Sequence, residues 1–363
     1  MPSPPKFPPR TLSGFHRRLL TWFRANQRDL PWRRSRDQYR IWLSEVMLQQ
    51  TRVAAVLPYY HRFLRRFPTM RPLARAPLND VLKYWAGLGY YSRARNLHAA
   101  AKAIVARHGR FPRDYQAALE LPGIGRYTAA AVLSMAYGEP LAVLDGNVAR
   151  VLARLGAVRG DLRAPPRWQR FGQTAQELLD TEAPGEWNQA MMELGATVCT
   201  PRAPRCEACP VSRWCRAYAL GVVNELPAKR AKPAPKKMSI AAAVLLDSRE
   251  RTLLVKQPGR HDGVLFSRMW QFPAVEVEAD PAKELTQHLQ ESLGFRKKSL
   301  RALPGASHSV TYRQVTLLPF LARVERLPKK PGARAIPLRT IHAIPISSAT
   351  RKIAAAAMQH SRS

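Results

Sequence analysis

Leu121-Pro122-Gly123-Ile124-Gly125-Arg126-Tyr127-Thr128-Ala129, followed beyond a short apolar run by Leu144-Asp145-Gly146-Asn147-Val148, punctuates a helical region in a distinctive way. Pro122, Gly123 and Gly125 stop any helix at Leu121. Both glycines can take positive φ, and without a Cβ each lets a phosphate approach bare backbone amides. Thr128 to Met135 then reads as an Ala-rich helix, so the unit is helix, Gly-rich hairpin, helix. An ordinary αα turn would use the same residue types. Asp145 narrows the choice, because it lies at the far end of the second helix, near whatever the hairpin holds. Asn147 to Leu155 is also helical, so Asp145 equally occupies an N-cap position.

The chain has 363 residues, enough for two or three domains with their own cores. Hydrophobic residues make up 46%, which marks a globular protein. Lys plus Arg number 59 against 25 Asp plus Glu, a net charge of +34. Positive charge recurs along nearly the whole chain, so a polyanion, nucleic acid first, is the expected partner. No apolar run is long enough to span a membrane, and the Pro-rich start has no secretory apolar core. All four cysteines fall between positions 199 and 215. That clustering fits a metal site in a reducing compartment rather than a disulfide scaffold.

Residues 1–10 read as a disordered arm. Leu12 to Asn26 shows helical periodicity, with Phe15, Leu19, Trp22 and Phe23 on one face. Helical segments follow at Tyr39–Gln49, Val53–Phe67, Leu78–Trp85, Ser92–His108, Trp168–Thr181 and Asn188–Thr197, and no strand is expected before about residue 238. Residues 11–225 therefore form an all-α domain. The Pro-rich basic stretch 226–238 reads as a linker. Residues 239–345 read as a smaller α+β domain, with strands at Ile240–Leu246, Thr252–Val255 and Val310–Phe320 and a helix at Lys283–Leu293. Residues 346–363 read as a tail.

Cys199, Cys206, Cys209 and Cys215 give the spacing C-x6-C-x2-C-x5-C. Four thiolates in one short loop suit either zinc or an iron–sulfur cluster. Glu45 sits in the apolar helix Leu-Ser-Glu-Val-Met-Leu-Gln-Gln-Thr; partial burial would raise its pKa and let it hold a proton near neutral pH. Tyr90 and Tyr91, after Gly-Leu-Gly, fit either core aromatics or exposed wedges.

The hairpin with its Asp resembles the helix-hairpin-helix DNA glycosylases, and the cysteine spacing resembles the 4Fe-4S loop of the endonuclease III and MutY family. The Glu45 motif is similar to that of MutY-type adenine DNA glycosylases, and the likeness covers nearly the whole chain, most strongly residues 30–215. The resemblance implies a helix-hairpin-helix domain with a 4Fe-4S loop, followed by a Nudix-like lesion-recognition domain. That second domain carries Trp270-Gln271-Phe272-Pro273 but lacks the acidic helix of Nudix hydrolases. It further implies excision of adenine from duplex DNA opposite 8-oxoguanine or guanine, by a monomer in the bacterial cytoplasm associated with the nucleoid. Glu45 would protonate adenine, Asp145 would face the extruded sugar, and Tyr127 and Asn147 would position Asp145 and water. Gly123 and Gly125 would grip the backbone, and Arg202 and Arg205 would reach phosphate from the cysteine loop. Gln50 and Tyr90 would wedge into the duplex, which base flipping requires. Trp32, Arg33 and Glu193 would line the base pocket. Tyr127 replaces the Schiff-base lysine of the bifunctional branch, so strand cleavage through an imine is not expected. Thr311, following His308-Ser309-Val310, is the best match to the serine that contacts 8-oxoguanine. The alternatives are a thymine or uracil mismatch glycosylase of the same fold and a non-catalytic DNA-binding relative.

Overall fold

The computed structural model describes residues 9–228, 234–256, 269–295, 299–310 and 313–360. Thr311 lies outside the described residues. The chain divides into two compact units, Met1–Arg75 with Arg95–Ala231, and Ala76–Ala94 with Lys232–Ser363.

The helices run α1 (Pro9–Asn26), α2 (Gln38–Leu48), α3 (Val53–Arg66), α4 (Met70–Arg75), α5 (Leu78–Trp85), α6 (Tyr91–Arg107), α7 (Tyr115–Leu119), α8 (Arg126–Val132), α9 (Gly146–Leu155), α10 (Pro165–Glu177), α11 (Pro184–Thr197) and α12 (Arg216–Ala219). Segment 76–94, with α5, groups with the second unit rather than with the all-α domain that sequence periodicity assigned it to. Periodicity reports which face of a helix is apolar, not which core receives it. In the first unit, Phe15, Leu19 and Phe23 of α1 join Val148, Val151 and Leu152 of α9 and Trp187, Met191 and Leu194 of α11 in one buried cluster. α2 is buried on nearly every side, from Tyr39 to Met47, so its position is fixed by packing all round.

The second unit holds an eight-stranded sheet: β1 (Lys236–Leu246), β2 (Arg251–Lys256), β3 (Trp270–Gln271), β4 (Ala274–Val277), β5 (Arg301–Ala302), β6 (Ala306–Val310), β7 (Arg313–Arg323) and β8 (Ala333–Pro337). Its main path is β3-β2-β1-β7-β5. β1 pairs in parallel with β7 from Lys236↔Arg313 to Leu246↔Arg323, and antiparallel with β2 and β4. Residues 241–246 of β1 are buried without alternation, because the strand is covered on both faces. Ala242, Val244 and Leu246 pack with α14 (Ser348–His360), while Ala241, Ala243 and Leu245 pack with Leu285 and Leu289 of α13 (Pro281–Leu293).

Three sequence boundaries move. β1 begins at Lys236, inside the expected linker, because its first residues pair with β7 despite their charge. The expected tail is a structural element: Ile346 is buried against the sheet, and so are Ala349, Ile353, Ala354 and Ala357 in the helix that follows, whose alanines gave little periodic contrast. The strand read as Val310–Phe320 is chiefly β7, from Arg313; its first residue, Val310, ends the separate strand β6, which pairs with β7 from Ala306↔Leu317 to Val310↔Arg313.

Candidate active site

α2 carries Glu45 into the interior of the first unit, where 5% of it is exposed. Asp37 caps this helix, its Oδ1 accepting from the Arg40 amide at 2.8 Å. From α8, Tyr127 donates its hydroxyl to Glu45 Oε2 at 2.7 Å, and Met192 Sδ lies 3.4 Å from the same hydroxyl. Burial pushes the Glu45 carboxyl up to about 7; the Tyr127 hydrogen bond and Arg33 oppose this, and the charge of Asp145 adds to it. Burial also drives the Tyr127 phenol well above its ordinary range, with the Glu45 and Asp145 charges acting in the same direction. Glu45, Tyr127 and Asp145 thus share one electrostatic site.

Asp145 is the N-cap of α9. Its Oδ1 accepts from the amides of Asn147 at 2.9 Å and Val148 at 2.7 Å, and its Oδ2 accepts from the Asn147 side chain at 3.1 Å. Burial raises its pKa, opposed by these donors and by Arg150. Arg150, which sequence reading missed, donates from Nη2 to Asn147 Oδ1 at 2.9 Å and to the Gly195 carbonyl at 2.7 Å, and from Nε to the Cys199 carbonyl at 2.8 Å. Its signal was available: Arg150 and Arg154 are the two cations in an otherwise apolar buried stretch of α9. Gly195 permits this approach, since a Cβ there would stand 2.7 Å from Asn147 Cβ.

The hairpin departs from expectation at one glycine. Gly123 has φ +75°, and a Cβ would meet Asn96 Cβ at 2.5 Å. Gly125 has φ −98° instead of a positive value; it is the N-cap of α8, where extended backbone starts a helix. The space beside it is open. Gln49 Nε2 donates to Thr128 Oγ1 at 3.3 Å, tying the end of α2 to the hairpin. Gln50 and Tyr90 are both non-glycine residues at positive φ, 58° and 47°. Such strain persists only where surrounding structure enforces it, and it clusters at functional positions. Tyr90 is exposed and belongs to segment 76–94; the Arg93 guanidinium lies 5.4 Å from its ring centre.

Trp32 and Arg33 line a cavity with Ser44, Ser134, Tyr137 and Gln189. Glu193, expected beside them, is not among its lining residues. It is fully buried and takes ion pairs from Arg28 at 2.7 Å and Arg33 at 2.8 Å. Burial pushes its carboxyl up, yet hydrogen bonds from the two guanidiniums outweigh that and hold it at about 2. Two cations on one carboxylate draw it inward, and Arg28 was not foreseen.

The four cysteines are free thiols and line one cavity together with Arg154 and Val198. Arg154 Nη1 donates to Cys199 Sγ at 3.2 Å and to the Thr200 carbonyl at 2.8 Å. Burial pushes Cys209 up to about 12 and raises Cys206 and Cys215, with the neighbouring thiols acting in the same direction. Among the described residues no three His, Cys, Asp or Glu side chains meet the geometry of a single-ion site. Arg202 is exposed; Arg205 is exposed too but donates to the Thr197 carbonyl at 2.8 Å, closing the end of α11.

Residues 43–175 match the HhH-GPD superfamily of base excision DNA repair proteins. The chain is 36% identical over 405 residues to the adenine DNA glycosylase of Homo sapiens, covering 94% of this chain and 73% of that protein. It is 34% identical to the adenine DNA glycosylase of Rattus norvegicus, covering 97% of this chain and 79% of that protein. Among solved structures, a thermostable thymine-DNA glycosylase superposes with TM-score 0.53 at 30% identity, covering 58% of this chain and 97% of its own. An endonuclease III–DNA complex superposes with TM-score 0.50 at 23% identity, covering 60% of this chain and 99% of its own, which shows the shared fold. No described helix is long and apolar enough to cross a membrane.

Proposed function

Because the chain belongs to the adenine DNA glycosylases, we propose that it acts as a monomer on duplex DNA and excises adenine opposite 8-oxoguanine or guanine, without cutting the strand. The observation that carries the mechanism is the pair of carboxyls, Glu45 buried and Asp145 half-buried, in different surroundings but electrostatically coupled. Environments that separate two carboxyls assign them separate roles. Glu45, protonated to about pH 7, delivers its proton to N7 of the flipped adenine and makes it a neutral leaving group. The glycosidic bond breaks with oxocarbenium character, and the Asp145 carboxylate stabilises the cation on the sugar. Tyr127 orients Glu45; Asn147 and Arg150 orient Asp145. Gln50 and Tyr90 take the wedge positions, and Gly123 and Gly125 present backbone to phosphate. Duplexes with A opposite 8-oxoguanine, T opposite G and U opposite G test the reading together: release of adenine alone is expected. Release of thymine or uracil would replace it with the mismatch-glycosylase reading, and binding without release would make the protein a non-catalytic relative.

The reaction is monofunctional on this reading. Tyr127 offers a protonated phenol, and no amine stands there to form an imine. The product strand should stay intact until alkali or heat is applied, and borohydride should trap no covalent complex. Efficient trapping would contradict the assignment.

Cys199, Cys206, Cys209 and Cys215 fit a 4Fe-4S cluster by their chemistry. Buried thiols with raised pKa values become thiolates only beside added positive charge, which ferric and ferrous iron supply. The cluster would bind the loop together and hold Arg202 near DNA; base excision itself draws on no cofactor chemistry. Purified protein should be brown, with about four irons per chain on the four-thiolate rule. Colourless protein with stoichiometric zinc would overturn this. Cys209→Ser should lower the yield of folded protein far more than the rate of whatever fraction folds.

A further inference from the structure

From Val46 to Asn79 the chain has no acidic residue and six arginines, Arg52, Arg62, Arg65, Arg66, Arg71 and Arg75. α3 and α4 turn Phe63, Phe67, Met70, Leu73 and Ala74 into the core. Arg65, Arg66, Arg71 and Arg75 are exposed, on helices whose other side is locked by that packing. None of Arg65, Arg71 and Arg75 takes part in an ion pair among the described residues.

This surface lies away from the hairpin. α2 and α3 are antiparallel: Tyr39 Oη donates to the Phe67 carbonyl at 2.8 Å and Tyr60 Oη to the Arg40 carbonyl at 3.3 Å, at the start of α2 and the end of α3. Gln49 and Thr128 meet at the opposite end of α2. The length of α2 separates the two ends by about 15 Å at 1.5 Å per residue.

Favourable interaction with helix dipoles accounts for part of the pattern, since Arg65 and Arg66 close α3 and Arg75 closes α4. Arg71 is in the first turn of α4, where a cation is disfavoured, so the dipole does not explain it. Nor does a protein interface explain the set: among the described residues the large exposed apolar ones are Tyr90, Tyr218, Leu220 and Met358, none of them between 52 and 75. A protein partner needs an apolar anchor, whereas phosphate contact needs only placed cations.

We propose that the arginine face of α3 and α4 binds the phosphate backbone of a second DNA duplex segment while the hairpin and Glu45 site hold the first. The enzyme would then hold a second, undamaged segment while engaged on the first, which favours transfer between segments during search.

The test loads the full-length protein with one equivalent of a short A:8-oxoguanine duplex and titrates a labelled undamaged duplex over a range of salt. Wild type should bind the second duplex. Changing Arg65, Arg71 and Arg75 together to Gln should weaken that binding at least tenfold and flatten the log K against log[salt] slope by about 2–3, at roughly 0.9 per phosphate contact. The matching triple Lys variant should restore both. Single-turnover excision of the loaded duplex should be unchanged in each, which also shows that they fold. No second duplex on loaded wild type, or unaltered binding by the Gln variant, would overturn the proposal. So would capture of polyglutamate in place of duplex, which would give the face to an acidic protein.

Discussion

Glu45→Gln should lower single-turnover adenine release by on the order of 10²–10⁴-fold, the range of a positioned general acid, while mispair affinity stays near wild type. The substitution removes the proton and almost no volume, and the amide oxygen can still accept from Tyr127. The wild-type rate should fall as pH rises above about 7, where Glu45 loses its proton. Stability falls with rising pH as well, and begins to fall at lower pH. The folded carboxyl titrates near 7 and the unfolded one near 4.5, so between these values only the folded protein keeps the proton, and stability falls as pH rises through that window. A displacement of that size corresponds to about 3 kcal/mol. Glu45→Gln should therefore be more stable than wild type at pH 8, by up to about that amount, and no more stable at pH 4. An inactive enzyme with a higher Tm at pH 8 is the signature of a functional group held at the expense of stability. Near-wild-type release by the Gln variant would eliminate Glu45 as the acid.

Most of the helices were legible because they alternate apolar and polar faces, and the hairpin because Pro and Gly leave few alternatives. What periodicity could not supply was destination. α5 has a clear apolar face, yet it groups with the second unit, and α14 has a run of alanines that buries well without announcing it. The site divided along the same line. Glu45 stood out because an acid in an apolar helix is costly unless used, and burial confirms its setting. Arg28 and Arg150 escaped notice because an arginine becomes a site residue through its partners, and Glu193 and the Gly195 and Cys199 carbonyls are distant in sequence. The strain at Gln50 and Tyr90 had no sequence signal, since neither residue type favours positive φ.

Asp145→Asn separates two roles that the sequence offered as alternatives: the cap of α9 that the structure shows, and the sugar-facing carboxylate proposed above. As a cap, Asp145 receives the amides of Asn147 and Val148 on Oδ1. Asn caps nearly as well as Asp, so this contribution should change by less than about 0.5 kcal/mol. The substitution also removes a carboxyl whose ionised form burial disfavours, so the variant should be at least as stable as wild type at neutral pH. As the group facing the developing sugar cation, Asp145 acts through its charge, and a neutral amide of the same shape cannot replace it. Loss of that preorganised charge should lower single-turnover release by on the order of 10³-fold or more. Asp145→Ala completes the comparison: it loses the charge and the cap, so it should be equally inactive and about 1 kcal/mol less stable through the lost cap than the Asn variant. The pair of measurements, Tm and excision rate on both variants, distinguishes the roles because both variants lack the charge and only the cap differs between them. An Asn variant that excises adenine at the wild-type rate would reduce Asp145 to the cap of α9 and leave the sugar cation without its carboxylate.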